Sequence, residues 1–518
     1  MAAKRSRSDG AGAGGAGGAA GESDLRVNLN LIGGAWVPSS SGESLDIVSP
    51  VDGTHVGSVT LSNAADVDAA VKAGQAAFPK WSSLTIKHRT AIMLKYHALV
   101  RENADELARL VVQENGKNFG EALASVAKGN ETVEYACSLP QLAAGRILQV
   151  SRGVTCHEVR EPIGVVASVC PFNFPAMVPM WTVPIALVTG NCVIIKPSEK
   201  VPSAIVRMTE FMIEAGVPAG VIQIVHGQVE PVTALCDHPG LAALTFVGSS
   251  RVADIVSKRC HANGKKCLAL GGAKNHLVAL PDCNADMAAQ DIVASFSGCA
   301  GQRCMAASAL LVVGENPDLM DRIIARAGAL KPGTESGCVG AIIDEVAKAR
   351  ILRYIDEAEA SGAEILLDGR GWAKTADAGN WVGPTVILHK SAEEAAMQDE
   401  IFGPVLSVLK VANFDEAIKI ENANPHGNAA SIYTSVGAHA EWFSSRFRAG
   451  MIGVNIGVPV PREPFSFGGM QGTLSNFGGS DITGDGAMEF FTRRRKITTK
   501  WARPAGFDGD LASFDGKM

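Results

Sequence analysis

The sequence has 518 residues, 47% of them hydrophobic, which is enough for two or three domains with buried cores. The formal net charge of −6 excludes the strongly basic surface that nucleic-acid binding requires. The 11 cysteines are scattered without disulfide or metal-ligand spacing, which indicates reduced thiols in an intracellular compartment and predicts no metal site.

The first 24 residues have a composition of their own. The basic run KRSR precedes GAGAGGAGGAAG, and such a stretch buries too little apolar surface to fold. We therefore expect residues 1–24 to form a disordered tail. The tail lacks the apolar core of a signal peptide, and Asp9 and Glu22 are atypical of a transit peptide. This favours a cytoplasmic protein, with a mitochondrial one as the alternative.

The following segments are first helical and then strongly apolar. VDAAVKAGQAAFPKW and HRTAIMLKYHALVRENADELARLVVQENG repeat apolar residues at the i, i+3, i+4 spacing of amphipathic helices. Residues 165–195 carry no charge and are long enough to cross a bilayer. Repeated prolines interrupt this segment, however, and a membrane span must satisfy its backbone hydrogen bonds internally. We therefore predict a buried core element and no membrane.

Short β-branched runs then alternate with helical segments. The runs are VIIK (193–196), VIQIV (221–225), LTFV (244–247) and KCLAL (266–270). This rhythm predicts an α/β protein with a parallel sheet covered by helices on both faces. A second α/β unit follows, from HLVAL (276–280) to about residue 460. HEVREPIG (157–164) and RRRKITTKWAR (493–503) are suited to edge strands outside the domain body, so we expect a homo-oligomer.

The predicted sheet lacks the Gly-x-Gly-x-x-Gly turn that marks many dinucleotide sites. Instead, TFVGSSRVADIV places Gly248 and Ser249 between a strand and a helix, whose N-terminus favours a phosphate. An ordinary helix N-cap is the alternative. Lys196 and Glu199 follow another strand, at the edge where open α/β sheets bind ligands, and are suited to a ribose. Spacing alone is equally compatible with a solvated loop.

A candidate nucleophile lies in SGCAGQRCMAAS (297–308), where Arg303 directly precedes Cys304 among small residues. A cation or free N–H groups beside a thiol lower its pKa and make it reactive. The alternative is that Cys304, like Cys299, fills space as a small buried hydrophobic residue.

Six motifs occur in a characteristic order: PFNFP (171–175), KPSE (196–199), FVGSS (246–250), LGG (270–272), GQRC (301–304) and EIFGP (400–404). Through them the chain resembles the aldehyde dehydrogenase superfamily, from about residue 28 to residue 501. PFNFPAMVPMW, GAKNH and GQRCMA are most similar to its CoA-acylating branch, the methylmalonate-semialdehyde dehydrogenases.

The resemblance implies an aldehyde dehydrogenase-like fold. A Rossmann-like NAD-binding domain is expected at 25–145 and 160–275, and an α/β catalytic domain at 276–470. A small β arm for oligomerisation would comprise 146–159 and 485–503 and would give a tetramer or a dimer.

The resemblance also implies roles for individual residues. Cys304 would attack the aldehyde carbon, while the Asn173 amide and the backbone N–H of Cys304 would form the oxyanion hole. Hydride would pass to NAD and leave a thioester on Cys304. The cofactor would contact Cys170, Phe172, Lys196, Glu199, Lys200, Ser249, Gly271 and Glu400.

One expected acid is missing. Hydrolytic members carry a Glu just before LGG or GG, 34 positions ahead of the nucleophile. Counting back from Cys304 gives Leu270 and matching the LGG motif gives Ala269, and neither is an acid or a base. Water, with a pKa near 15.7, attacks a thioester poorly without a base, whereas a thiol of pKa ~8.5 is partly ionised at neutral pH. The absence therefore predicts CoA as the acyl acceptor.

Three alternatives to this reaction stay open. Leu270 is also compatible with an inactive or slow relative, or with a hydrolytic enzyme that uses another base. A non-enzymatic oligomer that kept the fold is the third. The intact Cys304, Asn173, Lys196 and Glu400 argue against that last possibility.

The substrate side is predicted from the cations. In this branch the cation before the nucleophile looks like the binding group for a substrate carboxylate, so Arg303 would hold a semialdehyde that ends in an acid. The family's second Arg aligns with Lys128, which keeps the charge but loses the planar fork. The resemblance implies that methylmalonate semialdehyde gives propionyl-CoA and malonate semialdehyde gives acetyl-CoA, with loss of CO2.

Overall fold

The computed structural model describes residues 26–375 and 379–502. The predicted tail, 1–24, and residue 503 of the predicted arm lie outside this part of the chain. Up to residue 162 the elements are β1 (Arg26–Asn28), β2 (Asn30–Ile32), β3 (Ala35–Val37), β4 (Ser44–Val48), β5 (His55–Thr60), α1 (Ala64–Ser83), α2 (Ile86–Glu102), α3 (Ala104–Asn115), α4 (Phe119–Leu142), β6 (Arg146–Ser151) and β7 (Val154–Pro162).

Two further groups of elements complete the described chain. Residues 165–270 form β8 (Val165–Val169), α5 (Met177–Thr189), β9 (Cys192–Lys196), α6 (Ser203–Ala215), β10 (Ile222–Ile224), α7 (Val229–Asp237), β11 (Ala243–Val247), α8 (Ser250–Ala262) and β12 (Lys266–Leu270). The rest are β13 (Asn275–Ala279), α9 (Ala285–Ser297), a short 3-10 turn (Gly298–Gly301), β14 (Ala307–Val313), α10 (Pro317–Gly328), α11 (Glu345–Ala360), β15 (Glu364–Leu367), α12 (Gly371–Thr375), β16 (Thr385–Leu388), α13 (Ala395–Gln398), β17 (Val405–Val411), α14 (Phe414–Ala423), β18 (Ala429–Tyr433), α15 (Gly437–Ser444), β19 (Met451–Val454), α16 (Gly484–Phe490) and β20 (Thr492–Lys500).

The first large sheet has the strand order β12-β11-β8-β9-β10-β2-β3. The neighbours from β12 to β10 are parallel, which confirms the prediction from the alternating pattern. β2 and β3 are antiparallel additions that the pattern did not predict. They form a hairpin at Gly33 and Gly34, whose φ angles of 64° and 91° favour glycine. Because β8, β9, β11 and β12 are parallel, their carboxyl ends meet along one edge.

The second large sheet has the order β15-β16-β17-β14-β13-β18-β19. All its neighbours are parallel except β15 and β16. Each sheet is packed against helices over a buried apolar core, with Trp81, Tyr96 and Phe211 in the first core and Phe296 and Tyr433 in the second. The α/β class is therefore confirmed.

The third sheet to note is an antiparallel one of order β20-β7-β6. Both segments expected to form edge strands are strands, and they pair from Thr492 opposite Pro162 to Lys500 opposite Val154. β7 is nevertheless the central strand, because β6 covers its other side. The solvent-exposed Ile147 is on β6, and pairing across subunits stays a prediction.

The apolar and helical segments also resolve into short elements. The long helical pattern after residue 86 is two helices, α2 and α3, joined at Asn103, where φ is −111° and ψ is 22°. Residues 165–195 are divided among β8, α5 and β9. In the described chain, no helix is both long and apolar enough to cross a membrane.

Candidate active site

A cleft of about 920 Å³ opens at the carboxyl edge of β8, β9, β11 and β12 and reaches the second unit. Ten of the predicted site residues line it: Cys170, Phe172, Asn173, Lys196, Glu199, Lys200, Ser249, Gly271, Cys304 and Glu400. The two predicted substrate cations, Arg303 and Lys128, are not among its lining residues.

The end of β9 provides the charged wall of the cleft. Lys196 Nζ lies 3.4 Å from Glu199 Oε2, and both side chains are mostly buried. The backbone N–H of Cys170 donates to the Lys196 carbonyl at 2.9 Å, which ties the ends of β8 and β9 together. Burial lowers the pKa of Lys196, while Glu199 opposes this shift. The pair is a fixed donor and acceptor rather than a solvated loop.

Lys200 and Phe172 lie beside this pair. Lys200 forms an ion pair with Asp344, and its Nζ is 5.8 Å from the centre of the Phe172 ring. Phe172 also meets Phe402 edge to face, with 5.9 Å between ring centres. These contacts connect the KPSE loop to the PFNFP and EIFGP loops.

The start of α8 faces the cleft with a free hydroxyl. Ser249 is the N-cap residue, but its side chain makes no capping hydrogen bond. The next residue, Ser250, accepts the Gly272 N–H through Oγ at 2.9 Å. An ordinary N-cap would use the Ser249 hydroxyl, so the geometry favours the phosphate site.

Glu400 stands over the two glycines that follow β12. Its Oε1 accepts the Ala273 N–H at 2.9 Å. A Cβ on Gly272 would be 2.3 Å from Glu400 Oε2, and one on Gly271 would be 2.2 Å from the Leu474 carbonyl oxygen, so side chains are excluded here. Burial raises the pKa of Glu400 to about 7, against the opposing Ala273 hydrogen bond.

The loop before the nucleophile has an unusual backbone. Cys299, Ala300 and Gly301 have φ angles of 53°, 52° and 69°, a left-handed run that costs energy for the two non-glycine residues. Sequence reasoning missed this run. The buried Gln302 holds the loop, since its Oε1 accepts the Ile343 N–H at 3.0 Å. A rigid turn therefore precedes Cys304.

Two buried amides hold the nucleophile itself. The Cys304 carbonyl accepts from Asn275 Nδ2 and from Asn428 Nδ2, each at 2.8 Å. Asn275 also accepts the Ala429 N–H at 3.1 Å, which joins the starts of β13 and β18. The GAKNH motif contains Asn275, but Asn428 had no signal in the sequence.

The PFNFP loop brings Asn173 next to this turn. Asn173 Nδ2 donates to the Gln302 carbonyl at 2.9 Å. An amide group has two N–H donors, and this bond uses one. The Asn173 carbonyl accepts from Lys117 Nζ at 2.5 Å, and the Phe172 carbonyl accepts from Asn115 Nδ2 at 2.9 Å. Sequence reasoning missed these two supporting residues: Asn115 is the last residue of α3, and Lys117 lies between α3 and α4.

The environment of the Cys304 thiol differs from the expectation. Burial, followed by the Glu400 charge, raises its pKa to about 12, and Arg303 opposes this only weakly. In this structure burial outweighs the neighbouring cation. α9 ends at Ser297, seven residues before Cys304, and Arg303 is directed at the end of that helix. Activation of the thiol by a cation stays a prediction.

Arg303 closes the end of α9. Its Nη2 donates to the carbonyls of Ala294 and Ser295 at 2.6 and 2.7 Å, which suits a cation at a helix C-terminus. Its Nε is buried without a hydrogen-bond partner in the described chain. One edge of the guanidinium is thus anchored, and one buried donor is unused.

Lys128 is already paired with two carboxylates. Its Nζ lies 2.9 Å from Glu131 and 3.0 Å from Glu463. The clamp expected from Arg303 and Lys128 is therefore not assembled in the cleft.

Leu270 occupies the position of the missing acid by residue count, and Ala269 occupies it by the LGG motif. Both are buried, at 4% and 0% exposure, and belong to the apolar core against which Cys304 packs. Leu270 is followed directly by Gly271 and Gly272, which line the cleft. The chain before these glycines is therefore apolar and offers no carboxylate at either position.

Comparison with known proteins gives concordant results. The aldehyde dehydrogenase family model matches residues 36–497. Malonate-semialdehyde dehydrogenase 2 of Geobacillus kaustophilus is 41% identical over 477 residues, which are 91% of this chain and 98% of that protein. The acylating, mitochondrial methylmalonate-semialdehyde dehydrogenase of Arabidopsis thaliana is 41% identical over 481 residues, 91% of this chain and 78% of that protein.

Solved structures give the same result. A Sinorhizobium meliloti protein, described as a methylmalonate-semialdehyde dehydrogenase and solved with NAD, superimposes with a TM-score of 0.91. The two are 35% identical, and the match covers 93% of this chain and 100% of the other. A methylmalonate-semialdehyde dehydrogenase from Oceanimonas doudoroffii gives a TM-score of 0.90 at 36% identity, with 93% and 99% covered.

Proposed function

The chain belongs to the aldehyde dehydrogenase family, and from this premise we propose that it oxidises malonate or methylmalonate semialdehyde with NAD and CoA. Malonate semialdehyde, NAD and CoA would give acetyl-CoA, CO2 and NADH; the methylated substrate would give propionyl-CoA. The similarity to proteins of these names supports the substrate class.

The cleft residues fit NAD. Bound there, NAD would supply the hydride acceptor. The free Ser249 hydroxyl and the start of α8 would meet its pyrophosphate, Lys196 and Glu199 a ribose, and Gly271 and Glu400 the nicotinamide end.

The residues around Cys304 would act on the acyl group. The thiol would lose its proton as it attacks the aldehyde carbon, because burial and the Glu400 charge raise its pKa and favour the neutral form. The second Asn173 N–H and the backbone N–H of Cys304 would stabilise the oxyanion of the adduct. After oxidation the acyl group is a thioester on Cys304. Its β-carboxylate would leave as CO2 while the same donors hold the enolate oxygen.

The observation that carries the choice of CoA is Leu270. It is buried in the apolar core against which Cys304 packs, at the position where residue count places a water-activating carboxylate. A thioester without that base reacts faster with a thiol than with water, since a thiol near pKa 8.5 needs no strong base.

The test follows NADH from both semialdehydes with and without CoA. With CoA we expect steady turnover and acyl-CoA product. Without CoA we expect a burst of about one NADH per active site and then a stall, because the thioester accumulates. Steady CoA-independent turnover to free acid would contradict the proposal.

A hydrolytic enzyme is the second candidate, and one observation favours it. Glu400 influences Cys304 electrostatically and has a pKa of about 7, which suits a general base. In that case Glu400→Gln would abolish CoA-independent turnover. If CoA is the acceptor, neither the parent nor this variant would show steady turnover without CoA.

A further inference from the structure

Lys128 has an unusual partner for a residue expected to bind substrate. Glu463 lies 335 positions away in the chain, yet its Oε2 is 3.0 Å from Lys128 Nζ. The Glu463 side chain is 10% exposed and that of Lys128 is 20% exposed. Thr132 Oγ1 donates to the other Glu463 oxygen at 3.3 Å. The carboxylate is therefore held in place on both oxygens.

α4 connects Lys128 to the loop that precedes the nucleophile. On the same helix, Glu121 accepts the Cys299 N–H at 2.8 Å. Lys128 follows Glu121 by seven residues, which places it on the same face two turns, or ~10 Å, along the helix.

The segment that carries Glu463 also borders Arg303. Ser295 Oγ donates to the Gly457 carbonyl at 2.8 Å, and the Ser295 carbonyl accepts Arg303 Nη2 at 2.7 Å. Gly457 and Glu463 are six residues apart. The loop from Gly457 to Glu463 thus contacts Ser295, which binds Arg303, and it also contacts Lys128 directly. Its Glu463 carboxylate pairs with Lys128.

We infer that Glu463 determines substrate preference by occupying the Lys128 ammonium in place of the substrate carboxylate. This inference rests on the proposed function. Of the two predicted cations, Arg303, with its unused buried Nε, is then the one left for an acidic semialdehyde. The consequence is that acidic and neutral short aldehydes are discriminated by Arg303 without Lys128, and therefore less strongly than by two cations.

Glu463→Gln tests the inference, because glutamine keeps the shape and the Thr132 bond but removes the charge. We expect KM for malonate semialdehyde to fall about tenfold, because Lys128 then keeps only Glu131, whose 41%-exposed and solvent-screened carboxylate a substrate carboxylate can displace. KM for propionaldehyde and kcat should stay within about twofold. Glu131→Gln is the matched control: Glu131 also bonds Lys128 but is 41% exposed, and its loss leaves the Glu463 pair intact.

The double variant Lys128→Met with Glu463→Gln gives an independent reading if Glu463→Gln folds poorly, because it removes both charges of the buried pair. Its KM for malonate semialdehyde should match that of the parent, since neither protein has a Lys128 ammonium available to the substrate. A KM in the double variant far below that of the parent would overturn the inference. The inference would also be overturned if Glu463→Gln left KM for malonate semialdehyde unchanged, or if it changed KM equally for acidic and neutral aldehydes.

A second readout separates this inference from the proposed function. Propionate, a non-reactive carboxylate of three carbons, is titrated as an inhibitor of propionaldehyde oxidation. Its inhibition constant should fall about tenfold in Glu463→Gln. If the parent oxidises propionaldehyde but neither semialdehyde, the proposed substrate is wrong, and the propionate series still decides the role of Glu463.

Discussion

The cofactor half of the cleft and its acyl half are built by different kinds of contact. On the cofactor half, Lys196 is the last residue of one strand of the parallel sheet, and Ser249 and Gly271 follow two other strands of that sheet. The strands meet at one edge, so the fold itself brings these residues together. On the acyl half, Arg303 and Lys128 are placed by their partners instead.

Those partners come from elsewhere in the chain. Arg303 is held by helix carbonyls, and Lys128 by a carboxylate 335 residues away. A cation takes the nearest available acceptor, and a substrate must compete with it. A binding site made from strand ends is thus more readily inferred from motifs than one made from charged side chains.

The largest effect is expected where the two halves meet, at Cys304. Cys304→Ala removes the sulfur atom that is proposed to form the thioester, so NADH formation should fall to background. Affinity for NAD, measured by fluorescence titration, should stay within about twofold because the cofactor contacts are elsewhere. Cys137→Ala, on α4, is the control and should keep full activity. NADH formation above background in Cys304→Ala would indicate that another thiol is the nucleophile.

Asn428→Leu tests whether the nucleophile is positioned from the acyl half. It removes one of the two amides on the Cys304 carbonyl. We expect kcat to fall by about 10- to 100-fold, since small displacements of a reacting group are costly. NAD affinity and KM should change little. The control is Asn422→Ala, which loses only a surface hydrogen bond to Arg446; equal losses in both variants would indicate a general structural effect.

Arg303→Ala tests whether Arg303 binds the substrate carboxylate in addition to the carbonyls at the end of α9. A lost charged hydrogen bond is worth roughly 1.5–3 kcal/mol, so KM for an acidic semialdehyde should rise about 10-fold or more. KM for propionaldehyde should stay the same. The melting temperature should fall too, because the guanidinium closes α9. If both aldehydes suffer equally, the residue serves only the helix.

Glu199→Gln sharpens the comparison on the cofactor half. It weakens the acceptor for a ribose hydroxyl and the pairing with Lys196. The dissociation constant for NAD should rise about tenfold, while KM for aldehyde should not move. Calorimetric titration with NAD measures the first effect. A change in the KM for aldehyde without a change in NAD affinity would indicate that Glu199 serves the acyl half and not the cofactor half.

The same contrast explains what could be predicted from the sequence. Strand ends predicted that Lys196 and Ser249 lie at one edge of the sheet, because local spacing determines both the strand and the loop that follows it. The left-handed run before Cys304 has no such signal, since two of its three residues are not glycine. The pairing of Lys128 with Glu463 is a long-range contact that no periodicity encodes.

The smallest expected effect is a pH-dependent change of stability at Glu400. Burial raises the pKa of Glu400 from 4.5 to about 7 in the folded protein. The stability gained with its proton is present below about pH 4.5 and is lost as pH rises through about 7. Glu400→Gln cannot ionise, so without NAD it should match the parent near pH 4.5 and exceed it at pH 8. Because the cleft admits solvent to the group, we expect about 1–2 kcal/mol.

Thermal melts of both proteins from pH 5 to pH 8 measure this difference. Glu114 and Glu421 also have pKa values raised to about 7 by burial, but they titrate in both proteins and cancel. A difference in melting temperature that does not grow with pH would mean that Glu400 is ionised at little cost. In that case its Ala273 hydrogen bond, rather than burial, would control the charge on the cofactor side of Cys304.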